Sequence, residues 1–394
     1  MLRTIWNVML REFRAIFHLR SMFALAILVP IAYALFFGTV YWNKKVTNLP
    51  VTIVDQDNSA LSREITRGIL ASETFRLAQY SDSTDDFPAQ AATDKSNISF
   101  VFPYHFERDV KSGRGSKVAV WVDASNILIG NVAINSASSI IGTYSVGVDI
   151  RKSLLRGRAS ASSAMSVVQP VRSESRVLFN PSLNYNYANF MLVGFVVVSI
   201  QLLTVLLVAR CGAREFEDGT LARLRSITHS PLAVIIGKAI PYIIIMLPVS
   251  MLALAIPTLM VGAPMIGDLW LLTGMTAWFL SVWILFGIGL SSLIGDSLMT
   301  TEVFAVVVMP SYLLSGNTWP VFAMPLVMRI VAYSLPLSYY VILVRKITMM
   351  GATISDLGVQ MTGLGIWSII AITAAYLGAR KLMHADTVPV EAQQ

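Results

Sequence analysis

The sequence predicts a mainly α-helical membrane protein with six transmembrane helices, an N-terminal interfacial elbow helix and an inserted extracytoplasmic α/β domain. Of its 394 residues, 55% are hydrophobic and only 13% are charged, whereas a soluble globular domain carries about 25% charged residues. Several apolar segments are close to the ~20 residues that a helix needs to cross a bilayer. This composition excludes an ordinary soluble protein and indicates a chain that crosses the membrane several times.

Residues 1–20 predict an amphipathic helix on the inner leaflet of the membrane. Its apolar stripe consists of Leu2, Ile5, Trp6, Met9, Phe13, Ile16 and Phe17. The opposite, polar side consists of Arg3, Asn7, Arg11, Arg14 and His18. The next segment, 21–42, is apolar over too great a length for the core of a signal peptide, so we interpret it as a retained first span.

Six apolar segments are long enough to cross the membrane. They cover residues 21–42, 187–209, 235–260, 268–293, 299–316 and 358–379. Eleven basic residues fall in the short segments on one side and three in those on the other, and the positive-inside rule assigns the richer side to the cytoplasm. We therefore predict that both termini are cytoplasmic, and that the excess positive charge reflects orientation and not a nucleic-acid partner.

Residues 43–186 predict an α/β domain outside the membrane, because strand-like and helical segments alternate there. The strand-like segments are LPVTIVDQDNS, TFRLAQY, ISFVFP and SKVAVWVDAS. Ser59 or Ser62 is expected to cap the helix after the first strand. Asp55 and Asp57 resemble a pair of metal ligands, but a strand that ends in D-x-D-x-S usually forms a turn. We predict the turn.

A compact charged segment separates the second and third spans. Residues 214–228 contain no helix breaker except Gly219, and Leu221 and Leu224 recur at helical spacing. The pattern predicts one helix with an apolar side on the membrane and a charged side in the cytoplasm, where Gly219 permits a kink and Pro231 ends the helix. A three-residue turn would suffice to join two spans, so a helix of this length indicates a docking partner.

The segment REFEDGTLARLRSITHSPLAVIIGKAIPY, from 214 to 242, resembles the signature of ABC-2 type transporter permeases, in the subgroup with a large extracytoplasmic domain after the first span. That signature runs approximately R-E-x-E-x-G-T-x-E-x-L-x-x-x-P and continues with G-K. The matching residues are Glu215, Glu217, Gly219, Thr220, Leu224, Pro231, Gly237 and Lys238. The sequence departs from the pattern at Ala222, where an acidic residue is common, and at His229.

The resemblance implies that 214–228 is a coupling helix seated in a cleft of a separate ATPase subunit. The residues implied for this contact are Arg214, Glu215, Glu217, Gly219, Thr220, Arg223, Leu224 and Pro231. We expect Glu217 and Arg223 to be recognition charges, because mixed charges bind a polar cleft through charge-assisted hydrogen bonds. Simple solvation is the alternative for Glu215 and Asp218.

A second segment, 313–347, resembles the element that follows the fifth span in the same family. Its glycine and proline residues interrupt it too often for one span, so we predict two short re-entrant helices that dip in from the outer face over 317–345. The residues proposed for an outer gate or for the translocation path are Asn189, Gln201, Thr204, Asn317, Trp319, Phe322 and Met324. An interfacial aromatic belt is the alternative for the aromatic members of this set.

The chain contains no G-x-x-x-x-G-K-[ST] motif, so it has no P-loop for ATP phosphates. Its single cysteine, Cys211, excludes intrachain disulfides and cysteine-based metal clusters, and no catalytic motif stands out. We therefore predict a translocation subunit with no metal, cofactor or catalytic site of its own, whose partner ATPase binds ATP and Mg²⁺. Six spans enclose little space, so a second copy or a homologous permease is expected as well.

The predicted spans lack charged residues at mid-depth, which argues against a proton-coupled carrier and suits an apolar or amphipathic cargo. The resemblance implies the permease subunit of an ATP-driven exporter of a drug, lipid or peptide, surrounded by membrane lipids in the bacterial inner membrane. A periplasmic adaptor is a further candidate partner in cells with two membranes. The alternative is a channel or sensor whose outer α/β domain binds a ligand.

Overall fold

A computed structural model describes residues 1–18, 20–40, 46–83, 85, 87–92, 95–112, 114, 116–123, 127–155 and 187–384. The chain forms two compact units. The first, here called the helical unit, comprises Met1–Lys44, Phe179–Pro181 and Asn186–Gln394. The second, here called the inserted domain, comprises Lys45–Leu178 and Ser182–Tyr185.

The described elements follow one another in the order expected for a helical protein with one small inserted sheet. They are α1 (Leu2–His18), α2 (Arg20–Val40), β1 (Leu49–Asp55), α3 (Ala60–Leu70), β2 (Phe75–Tyr80), α4 (Phe87–Ala92), β3 (Ile98–Phe102), α5 (Phe106–Ser112), β4 (Ala119–Val122), α6 (Ile127–Leu155), α7 (Tyr187–Glu217), α8 (Leu221–Ile227), α9 (Pro231–Val261), α10 (Leu269–Ile294), α11 (Ser297–Leu314), α12 (Leu326–Tyr333), α13 (Pro336–Met350) and α14 (Gly358–His384). Short 3-10 helices cover Val321–Ala323 and Ile354–Leu357.

The inserted domain is an α/β fold with the four predicted strands. The strand order is β2-β1-β3-β4, in which β1 is parallel to β2 and β3 while β4 is antiparallel to β3. All five residues of β3 are buried, which is typical of a strand covered on both faces. Ile53 and Phe100 of the sheet and Ile69 of α3 are fully buried in one core.

The polar residues after β1 form local structure, as predicted. Asp55 Oδ1 accepts from the backbone N–H groups of Asp57 and Asn58 at 3.1 and 2.9 Å, which is an Asx turn. Ser59 caps α3 and shares a capping box with Ser62. The turn interpretation of Asp55 and Asp57 is confirmed, and so is the role of Ser59 as helix cap.

The helical unit is organised around α7. In the most apolar stretch of α7, 78% of the residues are buried inside the protein, against 22% in α11, so α7 is central and α11 peripheral. α7 packs against α2, α9, α10, α11 and α13. Stacked rings of Phe279 and Tyr340, 3.9 Å apart at their centroids, join α10 to α13 within this core.

Among the described residues, five helices are long and apolar enough to cross a membrane, and the number rises to six if α12 and α13 count as one bent span. The axes of α12 and α13 differ by 76°, and the break lies before Pro336, the first residue of α13. Two short helices therefore lie in this region, and their re-entrant arrangement stays a prediction. The predicted first span coincides with α2, an apolar helix of 21 residues. The count of six stays a prediction.

Candidate functional site

The charged segment over 214–228 is divided between two helices, the end of α7 and the short helix α8. α7 continues to Glu217, and the chain then turns at Gly219, whose φ of 63° lies in the left-handed region that favours glycine. α8 begins only at Leu221 and ends at Ile227. The prediction of a single helix over 214–228 is therefore wrong, because the turn at Gly219 separates the end of α7 from α8.

Pro231 also has a different position from the one predicted. α8 ends before it, and Pro231 is the first residue of α9 behind the N-cap Ser230. A proline fits there because the first N–H of a helix has no partner within the helix. α9 has 31 residues, a length of about 46 Å, so it extends well beyond a hydrocarbon core of about 30 Å.

The apolar side of α8 is anchored on other helices. Leu221 and Leu224 are buried and pack in one cluster with Val8 of α1, Val234 of α9 and Leu382 of α14. The prediction that this side touches the membrane is wrong, since α1, α9 and α14 cover it. In addition, the side chain of Arg225 donates to the carbonyl of Leu382 at 2.9 Å. α8 is therefore fixed to three helices.

A buried ionic cluster lies beside this anchor and consists of Arg11, Glu12, Arg214, Glu215 and Lys238. Glu12 Oε2 accepts from Arg214 Nη2 at 2.9 Å and from Lys238 Nζ at 3.1 Å. Glu215 accepts from Lys238 Nζ at 2.8 Å and from Arg11 Nη2 at 2.5 Å. Lys238 and Glu215 are fully buried. The cluster joins α1 to the end of α7 and the start of α9.

Neutral groups complete the cluster. The hydroxyl of Tyr242 donates to Glu12 Oε1 at 2.8 Å, and the hydroxyl of Thr220 donates to Glu215 Oε2 at 2.7 Å. Lys238 Nζ also donates to the carbonyl of Cys211 at 2.8 Å. Both carboxylates thus accept several hydrogen bonds, which is the condition under which a buried charge can be tolerated.

The electrostatics of the cluster favour the charged forms. Burial acts to raise the pKa of the Glu12 carboxyl, but Lys238 and Arg214 outweigh it and hold that pKa below its ordinary value. Glu12 is therefore a carboxylate at neutral pH. The cluster has three cations and two carboxylates, so it carries one surplus positive charge.

Two of the residues predicted to contact an ATPase belong to this cluster. Arg214 is 7% exposed and Glu215 is fully buried, so both side chains bind other helices of the same chain. Simple solvation, the alternative for Glu215, is excluded by its burial. Leu224 is likewise an anchor and not a surface contact. Thr220 donates to Glu215 and accepts from Arg11 at 2.9 Å.

Glu217 is partly exposed and is bound within the protein. Its Oε1 accepts from the backbone N–H of Ser297 at 2.6 Å, and its Oε2 lies 3.8 Å from Arg210 Nη2. Ser297 is the first residue of α11, where Asp296 already caps the helix. Glu217 therefore connects the turn after α7 to the start of α11.

The exposed part of this region is small and well defined. Besides Glu217 it consists of Asp218, Gly219, Ala222, Arg223, Ser226 and His229, and we call these six residues the α8 surface. Among the described residues neither Asp218 nor Arg223 forms an ion pair. Arg223 is thus the predicted recognition charge that remains open to another molecule.

The residues proposed for the gate and the path are mostly internal contacts. Gln201 donates to the hydroxyl of Ser311 at 3.0 Å, and Thr204 donates to the carbonyl of Ile200 at 2.7 Å. Both are buried in the core around α7. The side chains of Asn189 and Phe322 lie outside the described residues.

Asn317 stands at the centre of a second polar contact. It is fully buried, and its Oδ1 accepts from Arg345 of α13. A Cβ atom at Gly194 of α7 would collide with the Asn317 amide, so the glycine permits this approach. Trp319 is 55% exposed, whereas Met324 packs in a small cluster.

Sequence reasoning missed Glu12 as a member of the ionic cluster, and it missed Cys211 and Tyr242 as neutral partners of that cluster. One signal was available for Glu12, the sole acidic residue among the first 20, where it follows the basic Arg11. Among the described residues no group of three or more histidine, cysteine, aspartate or glutamate residues is placed to hold a metal ion.

The long apolar helices define a multi-pass membrane protein, with a charged element anchored between α7 and α9. The chain belongs to the family described as ABC-2 family transporter proteins, which matches residues 20–377. The resemblance seen in the sequence is confirmed.

Three relatives from Escherichia coli (strain K12) agree with this assignment. The probable multidrug ABC transporter permease YbhR is 24% identical over 385 residues, 95% of this chain and 96% of the relative. The inner membrane transport permease YhhJ is 24% identical over 396 residues, 98% of each chain. The probable multidrug ABC transporter permease YbhS is 23% identical over 351 residues, 89% of each chain.

Proposed function

We propose that this chain is the permease subunit of an ATP-binding cassette exporter for hydrophobic or amphipathic substrates, and that a separate ATPase subunit docks on the α8 surface. The observation that carries the proposal is the contrast between the two sides of α8. One side is buried on α1, α9 and α14, while the other exposes the charges of Asp218 and Arg223, which form no ion pair within the described part of the chain. Such an element is held rigidly enough to transmit force and is open to a partner.

The ionic cluster supports the same role. It fixes the end of α7 and the start of α9 to α1 through contacts of 2.5 to 3.1 Å. A displacement of α8 by an ATPase would therefore move the ends of these helices and not a flexible loop. Arg214, Glu215 and Lys238 act in this proposal as positioning residues behind the docking surface.

We place the α8 surface and both termini in the cytoplasm, and the inserted domain outside, because the short segments on the α8 side carry most of the basic residues. The proposed substrate class follows from the apolar helices and from relatives described as probable multidrug permeases. A second copy or a homologue would complete the path, and an adaptor outside the membrane is a further proposed partner.

The decisive experiment is a pull-down of the tagged chain from native membranes in mild detergent, with mass spectrometry of the co-purified proteins. Two variants alter the α8 surface without touching its anchor: Arg223→Glu reverses the open charge, and Ala222→Trp adds bulk beside it. Arg380→Glu is the matched control, since it makes the same charge change at an exposed position of α14.

We expect a soluble P-loop ATPase with the native chain and with the Arg380→Glu variant, and its loss from both α8 variants. Recovery of the ATPase with all four chains would place the docking site elsewhere. Failure to recover any ATPase with the native chain would reject the exporter assignment itself.

A further inference from the structure

The inserted domain contains an open cavity at the edge where the parallel strands β1 and β2 end. Its volume is about 510 Å³. Ile53 of β1 and Thr66 of α3 line it and are both buried, while Tyr80, Ser81 and Asp82 form the wall that follows β2. The carboxyl ends of parallel strands are the usual position of ligand sites in open α/β sheets. Position and size therefore both suit a small molecule.

One face of α3 lines the other side of this cavity. Arg63, Thr66, Arg67 and Leu70 follow the helical spacing of three, four and seven residues, so their side chains share that face. The two arginines lie one turn apart and are both exposed. Like charges at this spacing destabilise a helix, so an anion bound between the two arginines would stabilise α3.

The arginines leave most of their donors available. Arg63 Nη1 donates to the carbonyl of Asn58 at 2.5 Å, and Arg67 Nε donates to the carbonyl of Arg63 at 3.4 Å. Among the described residues neither guanidinium forms an ion pair. An arginine has five N–H donors, and two guanidinium groups one turn apart can hold a phosphate through several charge-assisted hydrogen bonds.

The two carboxylates of the cavity have different roles. Asp55 is fully engaged, because Oδ1 accepts from two backbone N–H groups and Oδ2 accepts from the hydroxyl of Ser62 at 2.7 Å. Asp82 is exposed and, within the described part of the chain, has no partner. A ligand that places its anionic end at the arginines must therefore present a hydrogen-bond donor, such as a hydroxyl group, to Asp82.

We propose that this cavity binds a small phosphorylated polyol, with its phosphate on Arg63 and Arg67 and its hydroxyl groups toward Asp82. The shared chemistry, a phosphate beside hydroxyl groups, occurs both in free sugar or glycerol phosphates and in glycerol-phosphate lipid headgroups. The inference concerns the inserted domain alone and does not depend on the proposed ATPase or on the side of the membrane.

The test is isothermal titration calorimetry of the full chain in detergent with four probes. Glycerol 3-phosphate carries both groups, inorganic phosphate lacks the polyol, glycerol lacks the phosphate, and a soluble short-chain phosphatidylglycerol represents the lipid source. We expect saturable binding of glycerol 3-phosphate, weaker binding of inorganic phosphate and no binding of glycerol. Binding of the short-chain lipid in place of, or tighter than, glycerol 3-phosphate would assign the headgroup as the source.

Three variants separate the site from general electrostatics. The double variant Arg63→Gln with Arg67→Gln should weaken glycerol 3-phosphate binding by about tenfold or more, since charge-assisted contacts to phosphate are lost. Asp82→Asn should raise the affinity for inorganic phosphate and reduce the difference in affinity between inorganic phosphate and glycerol 3-phosphate. Arg108→Gln, an exposed position of α5 outside the cavity, should bind like the native chain.

All these positions are on the surface, so unfolding temperatures close to that of the native chain are expected and would show that the variants fold. The proposal is overturned if neither glycerol 3-phosphate nor the short-chain lipid binds the native chain saturably, if the double variant binds as tightly as the native chain, or if Arg108→Gln loses as much affinity as the double variant.

Discussion

The substitution Glu12→Gln tests the ionic cluster most directly, because it removes one charge and changes almost nothing in size. Glu12 accepts from Arg214, Lys238 and Tyr242 at 2.8 to 3.1 Å. A glutamine has one acceptor oxygen and one donor NH₂ group, so it can keep part of this pattern only by pairing its NH₂ with the Tyr242 oxygen. The three cations of the cluster, Arg11, Arg214 and Lys238, then face one remaining carboxylate, that of Glu215.

The magnitude follows from the burial of these groups. Removal of one partner from a buried ion pair destabilises a protein by about 3–5 kcal/mol, because the remaining charge stays buried without compensation. Each kcal/mol lowers the midpoint of thermal unfolding by about 2–4 °C in a domain of some 150–250 residues. For the helical unit we therefore expect the Tm of the Glu12→Gln chain to fall by about 10 °C.

The assay is thermal unfolding of the purified chain in detergent, in which size-exclusion chromatography measures the folded fraction that remains after each temperature. Glu302→Gln is the matched control, since it makes the same change at an exposed position of α11 and should shift the Tm by no more than about 2 °C. A double-mutant cycle with Lys238→Met should show that the two changes cost less together than the sum of their separate effects. Additive effects, or a Glu12→Gln shift as small as that of the control, would refute the coupling of these charges.

Three further predictions concern single groups. The pKa of Glu12 is lowered in the folded chain, so the Glu12 carboxylate stabilises the fold above the ordinary glutamate pKa and loses this effect on acidification. The Tm of the native chain should therefore fall more steeply than the Tm of Glu12→Gln below about pH 4.5. Gly219→Ala should lower the free energy of unfolding by about 1–2 kcal/mol, because φ is 63° at this position. The control Gly142→Ala, in α6 with open space around it, should be neutral or stabilising. Equal losses of stability in the two variants would contradict the backbone argument. Ser59→Ala should destabilise the inserted domain by about 1 kcal/mol by removing the α3 cap, and Ser59→Asp should largely restore it in the same measurement.

The strands, turn and helix cap of the inserted domain could be predicted from the sequence, because they depend on residues close to one another along the chain. Alternation of strand and helix patterns located β1 to β4, and the residues of the Asp55 turn and the Ser59 cap lie within seven positions of one another. Turns and caps depend on side chains that bond their own neighbouring backbone. No knowledge of distant contacts is needed to place them.

The candidate site could not be read in the same way, because its contacts are long-range. Glu12 and Arg214 are 202 positions apart, and Glu12 and Lys238 are 226 positions apart. Charged residues between two apolar segments are ordinarily placed at the surface, and that default predicted exposed positions for Arg214 and Glu215, which are buried. Only the packing of α1 against α9 decides which charges are buried.

The cation at the centre of the cluster is also bonded to the backbone of α7. Lys238 donates to the carbonyl of Cys211 as well as to the two carboxylates, and this carbonyl lies in the second-last turn of α7. Lys238 therefore has three acceptors, two on carboxylates and one on the backbone, which satisfy all three of its N–H donors. The cluster is thus bonded to α7 close to the end of that helix, and α8 packs beside the same end through Leu221 and Leu224. A displacement of Arg223 would therefore reach the ends of α7 and α9 through the buried side chains of α8 and the ionic cluster.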